Sequence, residues 1–293
     1  MKAVPKERPL RLSARSPFAI DALLSFLGAR AMPGVEEVSD GTYRRSVHPT
    51  DGRSAVVALT FDRIDGTVVV DVSADGSLDA ETLAPVVRGA FDLDVDPRAI
   101  DATLARDPHL APLVARTPGI RVPGTVDLFE LVVRAIFGQQ VSVAGARTSL
   151  GRLAARYGTP LDRPVGSITH LFPAPEQVVE IPLETFGMPR ARAETIHRVA
   201  ELAAGTDLLS GNASPTETID RLGQIRGIGP WTLAYVTMRG LHDPDAFLEG
   251  DLGVRRGAAA LGLPSAAKEI LERAERWRPW RAYAVMHLWH ASR

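Results

Sequence analysis

The residues best placed to do chemistry lie between Leu222 and Asp251. Gly227-Ile228-Gly229 interrupts an apolar-periodic stretch, Pro230 follows at once, and an aspartate stands downstream at Asp251. Glycines permit a tight turn and leave no side chain in the way of a ligand. Proline suits the first position of a new helix. The N–H groups of that helix start point outward, and the helix dipole adds attraction for an anion. Such a turn grips a phosphate through amides and carries no sequence readout. A phosphate clamp with a downstream carboxylate points to an enzyme acting on DNA. Taken alone, the glycine step is equally a turn between packed helices, and Asp251 is equally an N-cap.

Other chemistry is limited by composition. Cysteine is absent, which excludes disulfides, Cys-ligated zinc, iron–sulfur clusters and thiol nucleophiles. The lysines are Lys2, Lys6 and Lys268, all remote in sequence from 222–251. The seven histidines show no metal-ligand spacing, and His287 and His290 read as packed or exposed helix residues. The net charge of −1 argues against bulk electrostatic binding of nucleic acid. Positive charge gathers late, at Arg255, Arg256, Lys268, Arg273, Arg276, Arg278 and Arg281, but Glu269, Glu272 and Glu275 dilute it. That run is either a local footprint or a solvated helix face.

The length of 293 residues allows two or three modest domains. There is no apolar run long enough to span a membrane, and the N-terminus has no apolar signal core. The expected location is the cytoplasm.

The elements that must position these groups fall into two kinds. Ser16-Pro17 reads as a helix start ahead of an amphipathic helix over 18–31. Residues 55–61 and 67–73 are β-rich, joined through Asp62-Arg63-Ile64-Asp65-Gly66 as a hairpin, and a helix follows at 80–92. From about 97 the pattern is helical. Asp127 and Glu130 form a capping box ahead of apolar residues at helical spacing. Gly138-Gln139-Gln140 breaks that helix, and another runs from about Ser142 to Tyr157. Residues 159–185 read as a connection with short helices, and 191–204 as a helix. Ser214-Pro215-Thr216-Glu217 starts the helix that ends at the glycine turn, and the next runs from Pro230 to about Arg239. The last helices are expected over 252–261, 264–276 and 279–291. The fold class is α+β, with an antiparallel sheet in the N-terminal part.

Three segments together resemble a known family. They are Ile225 to Thr232 with Phe247 to Leu252; Phe129 to Ala144, containing Phe137-Gly138-Gln139-Gln140-Val141; and Glu275 to Ala284, containing Trp277-Arg278-Pro279-Trp280. They look like the helix-hairpin-helix DNA glycosylases, and within them the AlkA-type 3-methyladenine glycosylase II group. The likeness covers nearly the whole chain. It implies an N-terminal α+β domain over 1–102, then two all-helical domains with the active-site cleft between them. One comprises 103–127 plus 246–293 and carries Asp251. The other, 128–245, holds the hairpin at about 214–240.

The resemblance also implies roles. Asp251 is the catalytic carboxylate, stabilising positive charge that develops on the sugar as the N-glycosidic bond breaks. Trp231, Tyr235 and Trp289 line a pocket for the flipped base, where an electron-rich face attracts electron-poor alkylated purines. Gly227, Ile228, Gly229 and Thr232 contact the DNA backbone. Gln139 and Gln140 enter the minor groove, with glutamine at 140 where the AlkA type carries leucine. A Na+ or K+ sits on the carbonyls of Gly223, Ile225 and Ile228, and no cofactor is required. Lyases of the superfamily carry a Schiff-base lysine at the position of Trp231, so this chain is expected to release bases without cutting the strand. The expected activity is excision of 3-methyladenine, 7-methylguanine and similar bases from damaged duplex DNA by a monomer. Two other readings are a glycosylase for deaminated or mismatched bases and a non-catalytic module that binds DNA structure. Asp251 and the aromatic set favour an enzyme, since a phosphate clamp needs neither.

Overall fold

The computed structural model describes residues 10–47, 55–64, 67–75, 80–210 and 213–292. Strands β1 (Leu10–Ala14), β2 (Glu36–Ser39), β3 (Thr42–Val47), β4 (Ala55–Ile64) and β5 (Thr67–Asp75) form one antiparallel sheet in the order β1-β5-β4-β3-β2. The alternation of Leu12, Tyr43, Leu59, Val70 and Val72 puts one apolar face inward. Helices α1 (Ile20–Arg30) and α2 (Ala80–Ala90) supply Leu23, Leu83 and Val87 to the same core. The β4 ladder continues to Ile64, so Asp62, Arg63 and Ile64 belong to the strand rather than to the expected connection. Asp65-Gly66 lies outside the described residues. Ser16-Pro17 is not a helix cap either: α1 begins at Ile20 with Ala19 in the cap position.

The remainder is helical with one exception. Helices α3 (Pro97–Leu104), α4 (Ala111–Arg116), α5 (Leu128–Gly138) and α6 (Val143–Tyr157) come first. A short hairpin, β6 (Pro160–Val165) and β7 (Ile168–His170), then interrupts. The sequence reading missed it because Pro160 and Pro164 mask the strand pattern. The hairpin covers the outer side of the large sheet, packing Ile168 and Leu171 on Val56. Then come α7 (Pro175–Val179), α8 (Arg190–Gly205), α9 (Pro215–Gly223), α10 (Pro230–Arg239), α11 (Leu252–Ala260), α12 (Ala267–Ala274) and α13 (Arg281–Ala291).

Two helical cores result. One gathers α5, α6, α8 and α10 around Ile136, Ile196 and Val236. The other gathers α3, α4 and α11 to α13 around Ile100, Val254 and Trp277, and takes in Phe26 from α1. A buried ionic network ties the sheet to α5. Arg45 of β3 reaches Glu130 at 2.7 Å, Arg134 reaches Glu130 at 2.7 Å and Glu36 at 2.8 Å, and Tyr43 Oη donates to Glu36 at 2.7 Å. Burial alone would raise the Glu36 pKa, but Arg134 and Arg45 outweigh it and hold the carboxyl well below its ordinary range. Among the described residues no helix is long and apolar enough to cross a membrane.

Candidate active site

The glycine turn is built from both sides. Ser214 Oγ accepts the Glu217 N–H at 3.2 Å and Pro215 takes the first helical position, so α9 starts where the sequence requires. Gly227 has φ +100°, a region that favours glycine. A Cβ there would lie 2.0 Å from Thr195 Oγ1 of α8. Thr195, buried, lies within hydrogen-bond distance of two carbonyl acceptors, Arg226 O at 3.0 Å and Ala191 O at 2.9 Å. The turn therefore rests on α8, a support that no spacing in the sequence signals. On the outer side, a Cβ on Gly229 would meet nothing within 4 Å. Gly229 caps α10 without a side-chain cap bond, Pro230 has no N–H, and the Leu233 N–H goes to Gly229 O at 3.1 Å, which leaves the N–H groups of Trp231 and Thr232 without an intrahelical acceptor. Ile228 packs its side chain into the helical core and gives its N–H to Ile225 O at 3.0 Å.

Asp251 is both an N-cap and a held carboxylate, which resolves the two readings of the sequence into one geometry. Its Oδ1 accepts the Val254 N–H at 2.9 Å and Trp289 Nε1–H at 2.8 Å. Its Oδ2 accepts Trp231 Nε1–H at 2.9 Å. A carboxylate oxygen has two lone pairs, so Oδ1 is saturated and Oδ2 keeps one. That remaining lone pair is what the half-buried group can present to a reacting atom.

Two further glycines permit this approach. A Cβ on Gly253 would stand 2.9 Å from Trp289 Cδ1 and 3.1 Å from Asp251 Oδ1. A Cβ on Gly257 would stand 2.0 Å from Leu288 O. They lie one turn apart on α11 and let α13 close onto it, bringing Trp289 to the carboxylate. The Gly253-x-x-x-Gly257 spacing is visible in the sequence, although its use is not.

The expected aromatics do gather. Trp231 and Tyr235 stack with centroids 5.4 Å apart, Tyr235 lies 6.4 Å from Trp289, and all three are half-buried. The sequence reading missed Phe26, which stacks on Trp289 at 6.0 Å. It also missed Arg30, one turn along α1, whose guanidinium sits 3.8 Å from the Phe26 centroid. Arg239 closes the rear. It donates to Pro123 O at 2.6 Å, Gly124 O at 2.9 Å and Tyr235 Oη at 2.5 Å. Burial would raise the Tyr235 phenol pKa, but Arg239 and Arg30 prevail and hold it below 10. The N-terminal part thus contributes side chains to the cluster, where the sequence assigned it no role.

Trp277 and Trp280 lie elsewhere. Trp277 is buried and donates Nε1–H to Asp107 at 2.9 Å, and Trp280 packs on the edge of Tyr283. His290 is exposed, and His287 is buried with a pKa lowered to about 4 by burial, with a smaller contribution from His290.

Gln139 and Gln140 occupy different environments. Gln140 is exposed with φ +58° at the tip of the α5–α6 break. Gln139 turns inward, and its Nε2 donates to Thr232 Oγ1 at 3.0 Å and Gly227 O at 3.2 Å. Thr232 is 1% exposed as a whole residue, and its hydroxyl is taken up by that contact, so the structure does not present it outward as the sequence reading expected. Gln139 ties the loop to the hairpin rather than extending outward.

Three of the seven cations in the late positive run form ion pairs among the described residues. Arg273 pairs with Asp107 at 2.8 Å, Arg281 with Asp245 at 2.8 Å, and Arg278 with Asp245 and with Glu275. Among the described residues, no group of three or more His, Asp or Glu side chains is placed to hold a metal ion.

Residues 133–282 match the HhH-GPD superfamily of base excision DNA repair proteins, and residues 9–127 match the AlkA N-terminal domain. The chain is 36% identical to DNA-3-methyladenine glycosylase 2 of Escherichia coli (strain K12), covering 96% of each. It is 42% identical to a probable bifunctional transcriptional activator/DNA repair enzyme AlkA of Mycobacterium tuberculosis, covering 96% of this chain and 56% of that one. The chain thus spans about half the length of the mycobacterial relatives. The structure resembles that of a 3-methyladenine DNA glycosylase from Archaeoglobus fulgidus, with a TM-score of 0.82 at 23% identity over 96% of this chain and 97% of that one.

Proposed function

We propose that this chain, which belongs to the HhH-GPD superfamily of base excision DNA repair proteins, is a monofunctional glycosylase that releases alkylated bases from duplex DNA. The observation that carries this reading is the Asp251 carboxylate. It is fixed by two indole N–H groups and a helix N-terminus, keeps one free lone pair on Oδ2, and stands within an aromatic cluster.

The residues divide the work as follows. First-turn N–H groups of α10 hold the backbone, and Gln140 at its exposed tip enters the duplex beside the lesion. The base leaves the stack and lies against Trp231, Tyr235 and Trp289. The bond between C1′ and the base nitrogen then breaks, and its electron pair departs with the base. Asp251 Oδ2 stabilises the positive sugar and accepts a hydrogen bond from the water that adds to C1′. That water gives its proton to Asp251 Oδ2, which passes it on to solvent, and an abasic site remains. An N-alkylated purine is a good leaving group, so a single carboxylate suffices. Trp231 stands at the lyase lysine position, and among the described residues Lys268 of α12 is the only lysine. Schiff-base chemistry therefore has no amine at this site.

The three cores are taken as domains, 1–102, 103–127 with 246–293, and 128–245, and the protein acts as a cytoplasmic monomer at the bacterial nucleoid. No cofactor is required. A Na+ or K+ is assigned to the hairpin carbonyls of Gly223, Ile225 and Ile228. The Ile225 carbonyl keeps a lone pair after accepting the Ile228 N–H. Deaminated purines form a second substrate class to test. Arg30 and Arg239 put positive charge beside the rings, which favours a neutral, carbonyl-bearing base over a cationic one.

The test is a panel of duplexes carrying methylated, deaminated or mismatched bases, assayed for free base and for strand scission. Release of methylated purines without coincident scission is expected. No release from any duplex, with binding retained, would leave a non-catalytic DNA-structure module as the correct reading.

A further inference from the structure

A polyanion must be attracted by local charge in a chain whose net charge is −1. The glycine turn supplies neutral amides, which position a backbone but release few counterions. In the late arginine run, Arg273, Arg278 and Arg281 are paired with carboxylates. Positive charge does collect on the other side of the hairpin. A groove of about 610 Å³ runs between α8 and α9, lined by Arg198, Glu201, Arg221, Gln224, Ile225 and Arg226.

Three features of the groove matter. Three arginines face one glutamate there. Arg198 also reaches Glu194 at 3.5 Å, whereas Arg221 and Arg226 are exposed and make no ion pair among the described residues. Ile225 and Arg226 directly precede Gly227 in the chain, so the groove adjoins the glycine turn.

We propose that this α8–α9 groove is a second anchoring surface for duplex DNA, receiving backbone phosphates that flank the stretch held by the glycine turn. Arg221 and Arg226 provide its attraction, and the continuity with the turn sets its register. The groove takes no part in chemistry, so it contributes to capture of the duplex and leaves the bound-state excision rate alone. This rests on the glycosylase reading.

The test measures binding to a duplex carrying a stable abasic-site analogue, across a salt series, for wild type and the double variant Arg221→Ala/Arg226→Ala. Each lost phosphate contact lowers the slope of log K against log salt by about 0.9 and weakens binding about eightfold at 0.1 M relative to 1 M salt. The expected result is a slope smaller by about two, with restoration by Arg221→Lys/Arg226→Lys and an unchanged single-turnover excision rate at saturating enzyme. A wild-type slope in the double variant, with excision intact, would overturn the groove alone. Failure of wild type to excise any base would overturn the reading beneath it. Both arginines are exposed, and an unchanged melting temperature confirms that the variants are folded.

Discussion

Trp289 Nε1 stands 2.8 Å from Asp251 Oδ1, which joins the last helix of the fold to the cap of α11 through a single hydrogen bond. With the Val254 N–H, the bond saturates Oδ1 and leaves Oδ2 as the oxygen with an open lone pair. Trp289→Phe keeps most of the ring and removes the donor. A hydrogen bond to a charged group contributes about 1.5–3 kcal/mol, so excision should fall roughly ten- to a hundredfold if the carboxylate is held for the transition state. Single-turnover rates check this, and a rate equal to wild type would show that the indole N–H is dispensable.

Gly253→Ala probes the same geometry from below. The new methyl would stand 2.9 Å from Trp289 Cδ1, inside contact distance, and must push the indole away from Asp251. Overpacking of this kind costs about 1–3 kcal/mol in stability. Indole fluorescence should shift and excision should drop about tenfold, while duplex affinity at the hairpin holds. Loss of affinity with normal excision would contradict this placement.

Gln139→Met removes the amide that links the α5–α6 break to Thr232 and Gly227 at nearly constant size. With the link gone, the loop that carries Gln140 is no longer tied to the glycine turn. Excision from a duplex should fall about tenfold, the scale of one or two lost hydrogen bonds. Excision from a single strand of the same sequence, where nothing needs to be displaced, should fall much less. Equal losses on both substrates would contradict a positioning role.

Glu36 makes stability depend on pH. Buried beside Arg134 and Arg45, its folded pKa lies well below the ordinary 4.5. The unfolded chain therefore binds the proton more readily, and the contribution is present above about pH 4.5 and is lost as pH falls below it. Glu36→Gln should be less stable than wild type at neutral pH by about 3 kcal/mol, because two buried guanidiniums lose a counter-charge. The difference should shrink in acid. Denaturant midpoints at neutral pH and near pH 3 check both signs.

What was legible in the sequence follows from local rules. Ser214-Pro215 and Asp127-x-x-Glu130 carry their own caps, and α9 and α5 start where those residues predict. Gly227 had to be a turn, and Trp231 and Tyr235 had to share a face of one helix. What was hidden depends on contacts between elements far apart in the chain. Thr195 supports Gly227 from α8, and Phe26 and Arg30 reach the pocket from the N-terminal part. Nothing in their local spacing distinguishes them from core or surface residues. Ser16-Pro17 failed as a helix start because a cap signal fixes no conformation by itself. The pairing of Arg273, Arg278 and Arg281 was hidden because their partners Asp107 and Asp245 lie far away in sequence.

The central claim is that Asp251 Oδ2 stabilises the sugar as the base departs. Asp251→Asn tests it most directly, because an amide oxygen can still accept the Val254 N–H and preserve the cap. Base release from a duplex carrying 3-methyladenine or 7-methylguanine should fall about a thousandfold, in the range of losing one electrostatic stabiliser. Melting temperature and affinity for an abasic-site duplex should stay near wild type. Release within tenfold of wild type by a folded, DNA-binding variant would contradict the account.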